Sequence, residues 1–210
     1  MSLKISCNQN TGDIIMKKIL LAALLLIPCT SFATDHNFKN RININVNGAY
    51  TDAMGDFEKD LKAAEVDRTN MAFGISAGFG LFEFLEPGLE FQYFMKYDGT
   101  AQVTNDKTEF TSYMGGIYLK AYLPEISISD NCGLNFYGKV GHGRYYGSAK
   151  VTSGTTGQSD KEDADKGGFS YGAGFDFVWD HMFTGLDVRF HRVRKADFVS
   201  AIGINVGYRF

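Results

Sequence analysis

The chain has 210 residues, a size that suits one domain of ordinary dimensions. Glycine is high at 24, phenylalanine and tyrosine number 18 and 11, and proline only 3, a mix that excludes disorder, which is poor in aromatics. The formal charge of -3 excludes the basic footprint of a nucleic-acid-binding protein.

Residues 1–15 are polar and lack periodicity, and they read as an upstream extension or a mis-assigned start. From Met16 the chain runs MKKILLAALLLIPCTSFA. Two lysines precede an apolar run, Ile19 to Ile27, and the small-x-small pattern Ser31-Phe32-Ala33 follows. This is the layout of a secretory signal peptide over 16–33, with cleavage predicted after Ala33. The run is too short to cross a bilayer as a helix, which argues against a retained anchor. Pro28 directly before Cys29 argues against a lipoprotein signal. Cys7 and Cys29 fall in the removed part, so Cys132 is left alone and no internal disulfide is expected. We expect it to be a bystander thiol in a turn.

Beyond residue 34 the recurring signal is alternation with a period of two, the mark of a strand. Ile42, Ile44, Val46 and Tyr50 open the series. Met71 to Leu81 follows, with Gly and Ser between its apolar positions. Leu89, Phe91, Tyr93, Met95 and Tyr97 alternate with Glu90, Gln92, Phe94 and Lys96. Tyr113, Ile117, Leu119, Ala121 and Leu123 form a fourth segment, with Tyr118, Lys120 and Tyr122 opposite. Leu134, Phe136 and Val140 form a fifth, facing away from Asn135, Tyr137 and Lys139. The last three are Phe169 to Trp179, Leu186 to Phe190, and Ile202 to Phe210. That makes eight strands. Most run about 9–13 residues, close to the ~9–11 a tilted strand needs to cross a bilayer core. Connectors 51–68, 98–109 and 147–167 are long and polar, whereas 82–86, 124–132 and 180–182 are shorter. Long loops on one side and short turns on the other mark an outer-membrane barrel.

One strand face is Phe, Tyr, Ile, Leu and Val; the other is Gly, Asn and Ser with single charges. A lipocalin-like soluble barrel shows the same alternation with its faces reversed. The signal peptide, strand length, loop asymmetry and terminal Phe210 together decide for the membrane form. The fold class expected for 34–210 is therefore all-β, a transmembrane antiparallel up-and-down β-barrel of eight strands. A barrel in hydrocarbon must close, because an open edge leaves unpaired backbone groups. The stretch IGINVGYRF would supply the closing strand. Tyr208, Phe210 and Trp179 would sit at the membrane interface, where aromatic girdles lie.

The strands FGISAGFG, FYGKVGHG and FSYGAGFDF and the terminal VGYRF resemble the small OmpA-, OmpX- and opacity-type outer-membrane barrels. The resemblance implies the outer membrane of a Gram-negative bacterium, with both termini periplasmic. It implies outer-membrane lipids and lipopolysaccharide as surroundings. It also implies recognition by the barrel assembly machinery through the aromatic-x-Phe ending at Tyr208 and Phe210. No segment resembling the periplasmic domain of OmpA follows Phe210, so no peptidoglycan-binding role is expected.

The inward charges form the first candidate constellation: Glu90, Asp176 and Asp187 with Lys96, Lys120, Lys139, Arg189 and Arg209. Counting back from the 180–182 turn places Asp176 almost opposite Asp187, with Lys139, Arg189 and Arg209 as candidate counterions. Such a set either plugs the lumen or gates a narrow pore. In 51–68, Met54, Phe57, Leu61 and Ala64 stand at helical spacing, which fits a short amphipathic helix or a solvated loop. Segment 147–167, dense in Ser, Thr, Asp, Glu and Lys, reads as a mobile solvated loop. Its acids Asp160, Glu162, Asp163 and Asp165 match no calcium-loop spacing. His142, His181 and His191 lack a Ser-plus-acid set on one face; His191 with Asp187 comes nearest and reads as a polar rim pair. No enzyme, cofactor or metal is expected. The sequence points to a monomeric surface protein whose loops meet host-cell or matrix ligands, with a low-conductance pore as the alternative.

Overall fold

The computed structural model describes residues 39–101, 105–193 and 197–210. The segments expected to be an upstream extension (1–15) and a signal peptide (16–33) lie outside the described residues, as do Cys7 and Cys29. The strands are β1 (Ile42–Gly55), β2 (Thr69–Phe79), β3 (Leu85–Thr100), β4 (Lys107–Tyr122), β5 (Ile126–Ser129), β6 (Cys132–Thr152), β7 (Ser159–Trp179), β8 (Met182–Val193) and β9 (Asp197–Arg209). One helix among the described residues, α1 (Asp56–Ala63), follows β1. Strands adjacent in sequence pair antiparallel, and the β1–β9 and β4–β6 ladders shut the sheet into a cylinder. The fold is a closed up-and-down barrel of eight strands, with β5 added.

The extra strand continues the line of β4. Tyr122 pairs with Tyr137, the Leu123 amide donates to the Phe136 carbonyl at 2.8 Å, and pairing resumes at Ile126–Leu134. Pro124 has no N–H to donate, so the ladder lapses there and returns one residue out of step. The connector expected at 124–132 is therefore partly strand.

The alternation seen in the sequence becomes inside and outside. On β9, Ala201, Gly203, Asn205, Gly207 and Arg209 are buried, while Ile202, Ile204, Val206 and Tyr208 are exposed. The same division holds for Ile75, Leu89, Phe91, Ile117, Val140, Phe169 and Leu186, all at the surface. A continuous outer band of large apolar side chains is intolerable in water at this extent and is what a lipid-facing barrel requires. Aromatics fringe the band. At the end carrying the chain terminus, Trp179 and Phe210 are exposed, Tyr208 packs edge-on to Phe210 at 4.8 Å, and Phe82 stacks on Phe84 at 5.8 Å. At the other end, Tyr113 stacks on Tyr146 at 5.0 Å and Tyr171 on Phe190 at 5.5 Å.

Three expectations need correction. First, β3 carries a bulge between Phe94 and Tyr97, so two consecutive residues, Met95 and Lys96, are exposed. A bulge reverses the alternation beyond it. Tyr97 turns inward, 3% exposed, and Lys96 turns out of the lumen set in which the alternation had placed it. Second, 147–167 is largely not a loop. β6 and β7 each run 21 residues and pair from Cys132–Trp179 up to Thr152–Ser159. Where both faces meet water a ladder needs no apolar alternation, so the pattern was silent there. Third, the connector expected at 51–68 begins later: 51–55 continue β1, and of the two alternatives for the rest the helix holds, over 56–63. Gly55, at φ 70, makes the left-handed turn from β1 into α1.

Candidate functional site in the barrel interior

The interior is built in layers. Nearest the chain terminus, Glu86 is 1% exposed and takes three hydrogen bonds: from Asn43 Nδ2 at 2.5 Å, Tyr118 Oη at 2.7 Å and Tyr122 Oη at 2.8 Å. Beside it, Lys120 Nζ lies 3.3 Å from Asp176 Oδ2 and 4.0 Å above the Tyr137 ring. Arg209 is buried, its guanidinium 5.3 Å from the Phe183 ring. One layer further in, Lys139 pairs with Glu90, and Arg189 Nε donates to Asp187 Oδ2 at 2.5 Å. Arg189 Nη1 also faces Glu90 Oε2 at 3.8 Å. Contributions come from β1, β3, β4, β6, β7, β8 and β9; the Glu90–Lys139 and Lys120–Asp176 pairs cross the lumen, and Arg189–Asp187 runs along β8.

Four acids (Glu86, Glu90, Asp176, Asp187) and four bases (Lys120, Lys139, Arg189, Arg209) are buried together. The balance is what a confined interior demands, since an unpaired buried charge is costly. Glycines make room for the network: a Cβ on Gly78 would strike Glu86, and one on Gly185 would strike the Phe175 carbonyl.

The sequence singled out Glu90, Lys120, Lys139, Asp176, Asp187, Arg189 and Arg209, and all seven are buried in this interior. Of the two neighbouring acids, Asp187 takes Arg189, one of the expected counterions, and Asp176 takes Lys120, which was not among them. Glu86 was missed. It stands four residues before Glu90, hence on the same strand face, but Pro87 and Gly88 disguised the strand as a turn. His191 is no rim residue: it is 1% exposed, and its Nδ1 shares a 2.9 Å hydrogen bond with the Tyr145 hydroxyl. Tyr145 was missed too.

Lys96, outside the lumen, sits with Lys107 against Glu109, at 2.8 and 3.0 Å. Lys96 first and Lys107 second hold the Glu109 carboxyl down to about 2, from an ordinary 4.5. A depressed carboxyl stabilises the fold above its unfolded value, and that contribution is lost as pH falls through the folded value. Lys96→Met is expected to move the Glu109 titration toward 4.5, read by carboxyl-carbon NMR; an unchanged titration would assign the effect to Lys107 alone.

Above the charges the lining turns apolar. Ala72, Phe94, Met114 and Tyr145 form a buried cluster with Val193 and Val199 against it. Higher still, α1 roofs the mouth: Leu61 is buried with Ala53, Val66 and Tyr97, and Phe57 packs on Tyr97 at 5.9 Å and Phe110 at 5.3 Å. Between roof and cluster lies a cavity of about 420 Å³. Among the described residues, no group of three or more His, Cys, Asp or Glu is arranged to hold a metal ion.

An apolar exterior, aromatic fringes and an interior of paired charges define a transmembrane β-barrel with a filled lumen. The chain belongs to the family described as the outer membrane protein beta-barrel domain, which it matches over residues 19–210. Among solved structures it is similar to Ail, the attachment invasion locus protein of Yersinia pestis, at 19% identity and a TM-score of 0.53, covering 82% of this chain and 99% of that one. It is also similar to Neisserial surface protein A (14% identity, TM-score 0.53, 80% and 97% covered). OprG from Pseudomonas aeruginosa is a third such structure (14% identity, TM-score 0.53, 83% and 97% covered). These likenesses are of fold. No curated protein matches the sequence.

Proposed function

We propose that this outer-membrane barrel is a surface structural and interaction protein, monomeric and non-enzymatic, with both termini periplasmic. On this reading α1 and the β6–β7 hairpin face the cell exterior. The observation that carries it is the contrast between the two parts of the molecule. The lumen is crossed by the Glu90–Lys139 and Lys120–Asp176 pairs and roofed by α1, which disfavours passage. The β6–β7 hairpin, 21 residues a side, spans roughly 70 Å along its strands at ~3.3 Å per residue, well over the ~25 Å apolar band even when tilted. Its upper part stands among lipopolysaccharide and beyond, where a rigid scaffold presents a recognition surface.

The charge on that surface bears on the ligand. Asp160, Glu162, Asp163 and Asp165 are interleaved with Lys150, Lys161 and Lys166, and Arg144 pairs with Asp165 at 2.8 Å. Ail has been crystallised with the heparin analogue sucrose octasulfate. Mixed charge of this kind favours a protein of the host cell or matrix over a sulfated polyanion. Recognition by the barrel assembly machinery through Tyr208 and Phe210 completes the reading, with Trp179 as an interface anchor.

The test is single-channel recording of the protein refolded into a planar bilayer. Silence is expected, with heat-modifiable gel mobility proving the barrel folded. Stable unitary steps would transfer the function to the alternative, a narrow pore gated by the same charges.

A further inference from the structure

The cavity beneath α1 is not used by that function. Its volume of about 420 Å³ falls within the ~300–1,000 Å³ range of small-molecule sites. Phe94, Val193 and Val199 floor it, and Phe57 and Leu61 of α1 close it from above. The bilayer does not reach it, because these side chains belong to the inner wall and the helix. The lining is mainly apolar, but three charged residues also border it: Asp60 on α1, and Glu162 and Lys166 on β7.

These three are not equivalent. Asp60 and Glu162 are exposed and stay in water, whereas Lys166 is half-buried. Lys166 shares the inner face of β7 with Ser170 and stands opposite the buried Tyr145. Glu162 lies on that face too, but four residues nearer the hairpin tip, about 13 Å along the strand at ~3.3 Å per residue. Asp163 and Asp165 are on the outer face, where they pair with Lys161 and Arg144. Among the described residues the Lys166 ammonium therefore has no ion pair. A partly desolvated cation beside an apolar space gains from a carboxylate, since a charge-assisted bond is stronger there than in open water. Body and head of a guest follow: an apolar chain in the cavity, anionic oxygens at its β7 wall. The space suits one chain of medium length and is too small for a two-chain lipid.

We propose that this cavity binds a single-chain amphipathic carboxylate of the fatty-acid type, its chain between α1 and the barrel floor and its carboxylate on the Lys166 ammonium. Asp60 and Glu162 keep the mouth wet and admit the guest from water.

The probe is octanoate labelled with carbon-13 at the carboxyl, followed by NMR against the whole barrel refolded in lipid nanodiscs. Empty nanodiscs supply the signal of octanoate dissolved in lipid. Octanamide, labelled alike, has the same chain and no charge. Lys166→Met keeps the length of the side chain and removes its charge. Ala149→Trp fills the cavity from the β6 wall, and Ala164→Trp, from β7, replaces it should that variant not fold. Heat-modifiable gel mobility shows which variants are folded. The native barrel is expected to give a saturable octanoate shift beyond that of empty nanodiscs. Lys166→Met weakens octanoate about 10–100-fold, the range for one lost charge-assisted hydrogen bond, and leaves octanamide unchanged. The cavity-filling variant abolishes saturable binding of both. Equal octanoate affinity in native protein and Lys166→Met would overturn the assignment of the carboxylate to Lys166. Octylammonium binding more tightly than octanoate would overturn it too, since the acids at the mouth would then select the head group. Saturable binding that survives cavity filling, or its absence from the native barrel, would overturn the site itself.

Discussion

Replacing Glu90 by Ala is expected to destabilise the barrel by about 3–5 kcal/mol, the cost of breaking a buried pair from one side. Glu90 is the acid that Lys139 bonds and that Arg189 also faces. Arg189 keeps Asp187 when Glu90 is removed; Lys139 keeps no bonded acid. Lys139 is 7% exposed and cannot reach bulk water without leaving the network. The partner replacement separates pairing from packing. Glu90→Ala combined with Lys139→Met removes both charges, and much of the lost stability should return. Trp179 is the single tryptophan, exposed in the aromatic fringe, so its fluorescence follows urea unfolding from lipid vesicles. A cost below about 1 kcal/mol for Glu90→Ala would mean that water solvates the lumen charges, and the filled interior would have to be abandoned.

Ile204→Arg is expected to cost about 2–4 kcal/mol, the range for a cation on the lipid face near the bilayer midplane. Ile204 is 59% exposed, between Gly48 of β1 and Leu186 of β8. By ordinary soluble-protein reasoning so exposed a residue accepts a charge freely, within about ±0.5 kcal/mol. The sign of the surroundings therefore decides the result. Val151 supplies the control. It is 44% exposed and apolar, but stands near the tip of the β6–β7 hairpin, opposite Asp160, beyond the aromatic fringe. Val151→Arg should change stability little. Equal costs at the two positions, in the same vesicles, would contradict the placement of the apolar band.

The legible part of this molecule is the part that lipid dictates. Where one face meets hydrocarbon and the other a polar lumen, every second residue must change character, and strands such as Ile202 to Phe210 announce themselves. Features that lipid does not enforce were hidden. The bulge at Met95 and Lys96 is a backbone event with no residue signature, so alternation alone puts Lys96 on the wrong side. Pro87 and Gly88 look like a turn, and they concealed Glu86. The upper β6–β7 hairpin is wet on both faces and so mimics a loop. Site residues followed the same division. Lumen charges stood out as rare exceptions on a face of glycine and asparagine. His191 and Tyr145 did not, because the bond that joins them ties β8 to β6 across the interior and emerges only from the three-dimensional packing.

The β1–β9 ladder, from Asn43–Arg209 to Gly55–Asp197, joins the first and last strands of the described chain. Few pairings are more distant in sequence, and such contacts are late and slow to form because a long intervening chain must first be drawn in. Until β9 arrives, the free side of β1 offers a row of bare amides and carbonyls that hydrocarbon will not tolerate. A half-built sheet thus has no resting place in the bilayer. Entry into the membrane and completion of the backbone circuit become a single event, and the strand made last decides when it happens.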